Sequence, residues 1–523
     1  MSLRVPPGVT EHTREPGPRA WYLGNDFQQY LLTGFIASSS PVASLGRAPS
    51  PGMMEMTQCM DSVAGREVLV QAWRTRGGTF RNGRRMDRYD VFAVVAVDPL
   101  RRFYLASGGY TREMQDLALA VVRTIAVGVP RTPVPAQTLV VLNGNIIDPA
   151  GGDPVTLGSV VVVGDRITAV GPGIPVPPGA RIVDARGKFL VPGLWDMHAH
   201  LAATTPIGRA PEQYVSYGIL GVRDMGGLPD SLFPLRAAIR SGARVGPDLV
   251  MAGPTLNGDQ PAPFHRKVVT DSEARIAVHE LAAAGVDFIK VHRATGRTAF
   301  LAILDEARAL GLSVCGHVPL VMSWVEASDL GMRTIEHIQT IYENEQPDPR
   351  LVAAQFTAIA DHLDGPYGDS IFAVLVRNHT FFDPTLIGYE VSIDRAAPPV
   401  AALRRAAYAR MQTLAGRAAR DGVRLLAGTD VLERHGDMLL TELERLVAIG
   451  LTPQQALAAA TTTAADAMSR GSGRIEPGAL ASFLIVDANP LSDIRNLRAL
   501  SAVVLRGRLI EAGELEALRR ADP

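Results

Sequence analysis

Apolar and polar positions fall into four regimes along the chain. In residues 1–132, the runs Glu67–Val70, Val91–Val97 and Arg102–Ala106 are rich in strand-forming residues and separated by Gly and Asp-Pro turns. Met114–Val127 then carries Leu117, Val121 and Ile125 on one face, the period of an amphipathic helix. The block is expected to be a small α+β domain of its own. A proline-rich stretch through Pro130, Pro133 and Pro135 closes it.

From residue 133 to 189 the pattern changes to short strands at Leu139–Leu142, Ser159–Val163, Ile167–Val170 and Ile182–Asp184. The same pattern returns in residues 466–523, at Phe483–Val486, Ala502–Leu505 and Arg508–Glu511. Two such segments flanking a long middle predict one composite β-sandwich with the middle inserted. That middle, residues 190–465, alternates β runs with helical stretches. Eight β candidates stand out: Val191–His198, Gly221–Asp224, Asp248–Gly253, Asp287–His292, Ser313–His317, Thr334–Ile338, Thr380–Leu386 and Arg424–Thr429. Helices are expected at Asp271–Ala284, ended by Gly285, at Thr298–Leu310, ended by Gly311, and from the Thr452-Pro453 cap. Eight β/α units at this length predict an α/β (β/α)8 TIM barrel, typically about 250 residues. The rival doubly wound sheet lacks its mark, since no G-x-G-x-x-G follows a strand.

Composition changes this picture only at a few points. Over 523 residues, 52 basic side chains face 53 acidic ones, a net charge of −1, so neither a nucleic acid nor an anionic membrane is the expected partner. Cys59 and Cys315 are the two cysteines, too few for a disulfide framework. No apolar run reaches 18 residues. The first twenty residues carry Arg4, Glu11, Arg14, Glu15 and Arg19 without an apolar stretch, so the expected compartment is the cytoplasm. A small-molecule substrate is the expected partner, with a homo-oligomer left open. Lysine occurs three times, at Lys188, Lys267 and Lys290, while every other basic residue is arginine.

Barrel chemistry sits at the C-terminal ends of strands. Here those ends read Asp196-Met197-His198-Ala199-His200, Ile289-Lys290-Val291-His292, Gly316-His317, Glu336-His337 and Gly428-Thr429-Asp430. Imidazole and carboxylate suit a borderline divalent ion such as zinc, and His198 and His200, two apart, point to one face of a strand. An ammonium repels metal, so Lys290 joins such a set only as a neutral amine that captures CO₂ to give an anionic carbamate. Arginine, always protonated, cannot follow that route. Taken singly, each residue has a plainer explanation: a hydrogen-bonded core histidine, a turn-capping aspartate, a solvated barrel-edge lysine. Their shared position at strand ends is what favours a metal site. His12, His279 and His362 fall outside that pattern.

These motifs, with Thr452-Pro453-Gln454-Gln455-Ala456, Gly473-Arg474-Ile475-Glu476-Pro477-Gly478 and Val486-Asp487-Ala488-Asn489-Pro490, resemble the amidohydrolase superfamily, in its imidazolonepropionase-like and prolidase-like branch. The resemblance spans about residues 138–512. It departs from the usual Ala-Asp-Leu at Ala481-Ser482-Phe483, far from the metal motifs in sequence. It implies a distorted TIM barrel, a composite β-sandwich and a binuclear centre. In that centre His198, His200 and Asp430 hold one divalent ion and His317 and His337 a second. N6-carboxylysine at Lys290 bridges the two, with zinc the expected metal.

The expected reaction is hydrolysis of an amide by a metal-bridging hydroxide, with Asp430 as the catalytic proton acceptor. Dipeptides and N-acyl amino acids with a free carboxylate, the substrates of a metallo-carboxypeptidase or dipeptidase, are favoured by the same resemblance. His292, Arg293, Arg223, Tyr389 and His435 are the candidate substrate contacts. A cyclic amide, lactone or other ester is the alternative substrate, and a non-catalytic ligand-binding scaffold the alternative class.

Overall fold

The computed structural model describes residues 138–520 except 153, 203–206, 260–261, 345–351 and 432–434, and, before residue 110, the backbone of seven strands. The expected helix at Met114–Val127 and the proline-rich stretch lie outside the described residues. The chain divides into two compact units, Met1–Val134 and Pro135–Pro523.

In the first unit β1 (Val9–His12), β2 (Ala20–Leu23), β3 (Tyr30–Ala37), β4 (Met53–Val63), β5 (Arg66–Thr79), β6 (Arg85–Asp98) and β7 (Arg101–Gly109) form one sheet. Its order is β1-β2-β3-β7-β6-β5-β4, antiparallel throughout. The three β runs read from the sequence are parts of β5, β6 and β7. The first four strands escaped that reading. Gly34 interrupts β3, and β4 carries Glu55 and Asp61, residue types depleted in strands.

In the second unit both ends of the chain build a single sheet. It comprises β8 (Thr138–Ile146), β9 (Val155–Val163), β10 (Arg166–Pro172), β11 (Arg181–Asp184) and β12 (Phe189–Pro192), and then, far along the chain, β22 (Phe483–Val486), β23 (Leu500–Leu505) and β24 (Arg508–Glu511). The order is β10-β9-β8-β12-β22-β23-β24, with β11 also on β8. Leu139, Val141, Val160, Val162, Leu190, Phe483, Ile485 and Val504 form its own core.

Between these segments lie two parallel sheets. One is β13 (Leu194–Ala199), β14 (Ile219–Asp224) and β15 (Asp248–Met251). The other holds β16 (Thr255–Asn257), β17 (His265–Lys267), β18 (Ile289–Val291), β19 (Val314–Gly316), β20 (Thr334–Glu336) and β21 (Phe381–Asp383), in the order β17-β16-β18-β19-β20-β21. Backbone hydrogen bonds join the sheets at both margins. Asp287 N donates to Met251 O (2.9 Å) on one side, while Leu426 N donates to Phe382 O (2.8 Å) and Met197 N to Ala427 O (2.9 Å) on the other. The architecture is α/β.

Three expectations need correction. The first β candidate is two strands: Val191 and Pro192 belong to the composite sheet, and Gly193 separates them from β13. The eighth, Arg424–Thr429, forms a single bridge, Phe382 to Leu425, because its later amides turn to Phe382, Ala459 and His198 instead of running along one neighbour. β16 and β17 were not anticipated, because Leu256 is the one apolar residue in the two of them. The helices fare better. Asp271–Ala284 starts with a capping box of Thr270 and Glu273 and ends at left-handed Gly285, and Arg297–Ala309 ends one residue before the expected Leu310.

Strand parity decides which side chains meet the helices and which turn away from them. On β18, Ile289 and Val291 enter the large core shared with the helices, so Lys290 faces the other way. Likewise Ile335 and Phe382 enter that core, leaving Glu336 and Asp383 opposite. Below these polar residues, Met197, Phe381 and Leu426, and beside them Met225, Val250, Phe288 and Cys315, form apolar clusters.

Candidate metal centre

The strand ends bring His198, His200, His317, His337, Lys290 and Asp430 into one cluster. The His198 ring lies 5.3 Å from that of His200 and 4.5 Å from that of His337, and His317 lies 4.6 Å from His337. Asp430 reaches all three sides. Its Oδ1 is 3.6 Å from His198 Nε2 and 3.3 Å from His200 Nε2, and its Oδ2 is 3.7 Å from His337 Nδ1. Single donor atoms of His198, His337 and Asp430 all lie within 4.8 Å of one another.

The tautomers are fixed from behind. His198 Nδ1 donates to Glu336 Oε2 (3.0 Å), so its Nε2 presents its lone pair, while His200 Nδ1 donates to the carbonyl of Gly226 (2.8 Å) and its Nε2 faces Asp430. His337 Nδ1 shares a hydrogen bond with Thr385 Oγ1 (2.8 Å). Several buried atoms lack any hydrogen-bond partner: His198 Nε2, His317 Nδ1 and Lys290 Nζ among them.

Burial depresses Lys290 to about 8, with the Arg223 cation adding to it and the Glu336 and Asp430 carboxylates opposing. Burial also takes His198 down to about 4 and His337 to about 3, and holds His317 well below its usual range. At neutral pH these imidazoles are therefore uncharged, the form that ligates metal. His200 goes the other way: burial lowers it, but the Asp430 carboxylate outweighs burial and raises it. Burial pushes the Asp430 carboxyl up, yet the neighbouring His198, His337 and His200 outweigh that and hold it well below the usual carboxylate range.

A buried amine with no partner is costly in a low-dielectric site unless it loses its proton or gains a group that binds. Lys290, 2% exposed, is in that position, and the chain makes room for it. Gly316 lies beside it at φ +129°, and a Cβ there would fall 2.2 Å from Val291 O and 2.8 Å from Lys290 Cδ. This site fits a divalent metal centre: convergent neutral imidazoles, an ionised carboxylate and orphaned donor atoms.

The expected substrate contacts divide. His292 stacks between His317 (4.2 Å) and His265 (4.9 Å), next to the cluster. Arg293 donates to Glu343 (3.1 Å). Tyr389 stacks on Tyr408 (5.6 Å), and His435 lies against Tyr214 (5.3 Å). Arg223 is buried, 2% exposed, and its guanidinium is taken up by protein groups. It donates to Met197 O (2.6 Å), Thr334 Oγ1 (3.0 Å) and both oxygens of Glu336 (2.9 and 3.0 Å).

The supporting acids were missed in the sequence. Asp196 accepts from the amides of His198 and Thr429 (3.1 Å each), from Thr429 Oγ1 (2.8 Å) and from the Tyr214 hydroxyl (3.3 Å). Asp224 accepts from Leu201 N and Gly226 N (2.7 and 3.1 Å). Glu336 and Asp383 complete the layer below His198. Their one available signal was isolation: each is the single carboxylate of a short, largely apolar strand.

The sequence model described as "Amidohydrolase family" matches residues 189–510. Among curated proteins, the chain is 44% identical over 65 residues to a dihydroorotase of Trichlorobacter lovleyi, covering 12% of this chain and 15% of that one. It is 29% identical over 218 residues to adenine deaminase 3 of Rhizobium meliloti, covering 37% of this chain and 34% of that one. The chain thus spans about a third or less of these curated relatives. A solved prolidase complexed with N-methylphosphonate-L-proline is similar over 72% of this chain and 100% of its own, at TM-score 0.60 and 25% identity.

Proposed function

Because the chain belongs to the amidohydrolase family, we propose that it hydrolyses a C–N bond, the amide of a dipeptide or N-acyl amino acid with a free carboxylate. The observation that carries this reading is the convergence of His198, His200 and His337 on the Asp430 carboxylate, with His198 Nε2, His317 Nδ1 and Lys290 Nζ buried and without hydrogen-bond partners. The likeness to a prolidase supports the substrate class. In this reading the two parallel sheets, bonded at both margins, form one eightfold barrel with the cluster at its C-terminal rim.

His198, His200 and Asp430 would hold one divalent ion, His317 and His337 a second, and carboxylated Lys290 would join them. When bound, such ions supply Lewis acidity and an acidified water. The rest belongs to the side chains. Glu336 and Gly226 O orient His198 and His200 through Nδ1, and Thr385 orients His337. Asp430, ionised and 34% exposed, takes a proton from the attacking water and delivers it to the departing nitrogen.

The test is a hydrolysis screen of dipeptides and N-acyl amino acids on protein loaded with divalent metal and bicarbonate, with cyclic amides and lactones as further arms. Release of amino acid that is lost in Asp430→Asn supports the reading. Turnover of lactones or cyclic amides alone replaces the substrate class. No turnover in any arm, with less than about one ion bound per chain, overturns the reading in favour of a binding scaffold.

A further inference from the structure

A cavity of about 310 Å³ opens beside Asp430, lined by Gly388, Val391, Ser392, Arg395, Arg404 and Val431. Four of these, at positions 388, 391, 392 and 395, are spaced as one stripe of the helix Leu386–Asp394 and its C-cap. The stripe begins at the cluster. A Cβ at Gly388 would lie 2.7 Å from Thr429 O and 3.4 Å from Asp430 Cβ, so glycine lets the helix abut the catalytic turn.

Among the described residues of the lining, Asp430 is the one carboxylate, and Arg395 and Arg404 are the cations. Arg404, on the helix Pro398–Arg420, is steadied by donation from Nη1 to Ser392 O (2.8 Å). Among the described residues no carboxylate lies within ion-pair distance of it. The other arginines considered for a substrate are already engaged, Arg223 with Glu336 and Arg293 with Glu343.

We propose that Arg404 anchors the α-carboxylate of the residue released from the substrate. This rests on the amidohydrolase reading of the site and names the specificity element within it. The length agrees. Ser392 lies four residues beyond Gly388, about 6 Å along the helix axis. One amino-acid residue of up to about 3.6 Å, with a hydrogen bond of about 3 Å at either end, covers that span. A guanidinium suits the task because its fork pairs with both carboxylate oxygens.

The experiment compares a dipeptide with its C-terminal carboxamide in wild type, Arg404→Gln, Arg404→Lys and, as a control off the cavity, Arg405→Gln. The same proteins, stripped of metal, are titrated with N-acetyl-L-alanine and N-acetyl-L-alaninamide. Arg404→Gln is expected to raise KM for the carboxylate substrate by about tenfold to a hundredfold and to collapse the preference over the carboxamide. Arg404→Lys recovers part of that preference, and Arg405→Gln keeps it. An unchanged preference, or an equal loss on both substrates, overturns the anchor while leaving amide hydrolysis standing. If wild type hydrolyses neither, the parent reading has failed and the titration decides. N-acetyl-L-alanine binding that disappears in Arg404→Gln upholds the anchor; equal or absent binding in both proteins overturns it.

Discussion

Gly316→Ala probes the space on which Lys290 depends. At φ +129° an L-residue is strained by about 1–3 kcal/mol. The added methyl also meets Val291 O at 2.2 Å and Lys290 Cδ at 2.8 Å, the first of them backbone that cannot swing aside. Overpacking of this kind costs about another 1–3 kcal/mol, for a total of about 2–6 kcal/mol. Gly173 supplies the control: its φ is +66° and nothing lies within 4 Å of its Cβ, so Gly173→Ala carries only the backbone penalty of about 1–2 kcal/mol. Urea unfolding of both variants, compared at equal m values, isolates the contact contribution. Metal content after reconstitution with bicarbonate reports the displacement of Lys290 separately. If Gly316→Ala unfolds within about 0.5 kcal/mol of Gly173→Ala and binds the wild-type complement of metal, the account of Lys290 as a side chain held in a glycine-made slot is wrong.

Three further predictions concern the layer around the cluster. Arg223→Met strands the buried Glu336 and should cost about 3–5 kcal/mol in denaturant unfolding, much of it recovered in the double variant with Glu336→Gln; additive losses would refute the pairing argument. Lys290→Arg, which cannot form a carbamate, should lower bound divalent metal to one ion or fewer by elemental analysis, and a full complement would rule out the bridge. Burial raises Glu442 to about 8, above its ordinary 4.5, so the folded chain holds a proton that the unfolded chain has released between those values. The stability it contributes is then present below pH 4.5 and lost as pH rises through about 8. The wild-type advantage over Glu442→Gln should accordingly shrink by about 1.4 kcal/mol per pH unit between pH 5 and 8, and a flat difference would count against a protonated Glu442.

How much of the fold and the site is legible in the sequence depends on how local each determinant is. Both capped helices starting at Asp271 and Pro453 were readable because a capping box is complete within four residues. The six cluster residues were readable because each ends a β run, so one geometric rule places them all. Arg223 was misjudged for the converse reason. Whether its guanidinium faces a ligand or a buried acid depends on Glu336, 113 positions away, and no spacing within either motif encodes that contact. Arg404 was passed over because it sits mid-helix among other arginines, and only the packing of two helices beside Asp430 distinguishes it.

Buried main-chain carbonyls, with the acids Asp196 and Glu442, explain how the motifs hold an unfavourable backbone. His337, Asp430 and Thr385 lie at φ +69°, +52° and +46°, each costing about 1–3 kcal/mol for a side-chain-bearing residue. Every one is clamped by buried acceptors. Asp430 N donates to His198 O (2.8 Å), while Asp196 takes both the amide and hydroxyl of the preceding Thr429. His337 N donates to the main-chain carbonyl of Asp383 (2.8 Å), a bond that involves no acid side chain. Thr385 is followed by the amides of Leu386 and Ile387, both accepted by the Glu442 carboxyl group (3.0 and 2.7 Å), supplied by a helix more than 50 positions later. The strain aims Asp430 at three histidines and His337 back toward Asp430, an arrangement that relaxed strands with alternating side chains would not give. The residue types of the cluster were therefore readable from the sequence, but their convergence depends on contacts between residues remote along the chain.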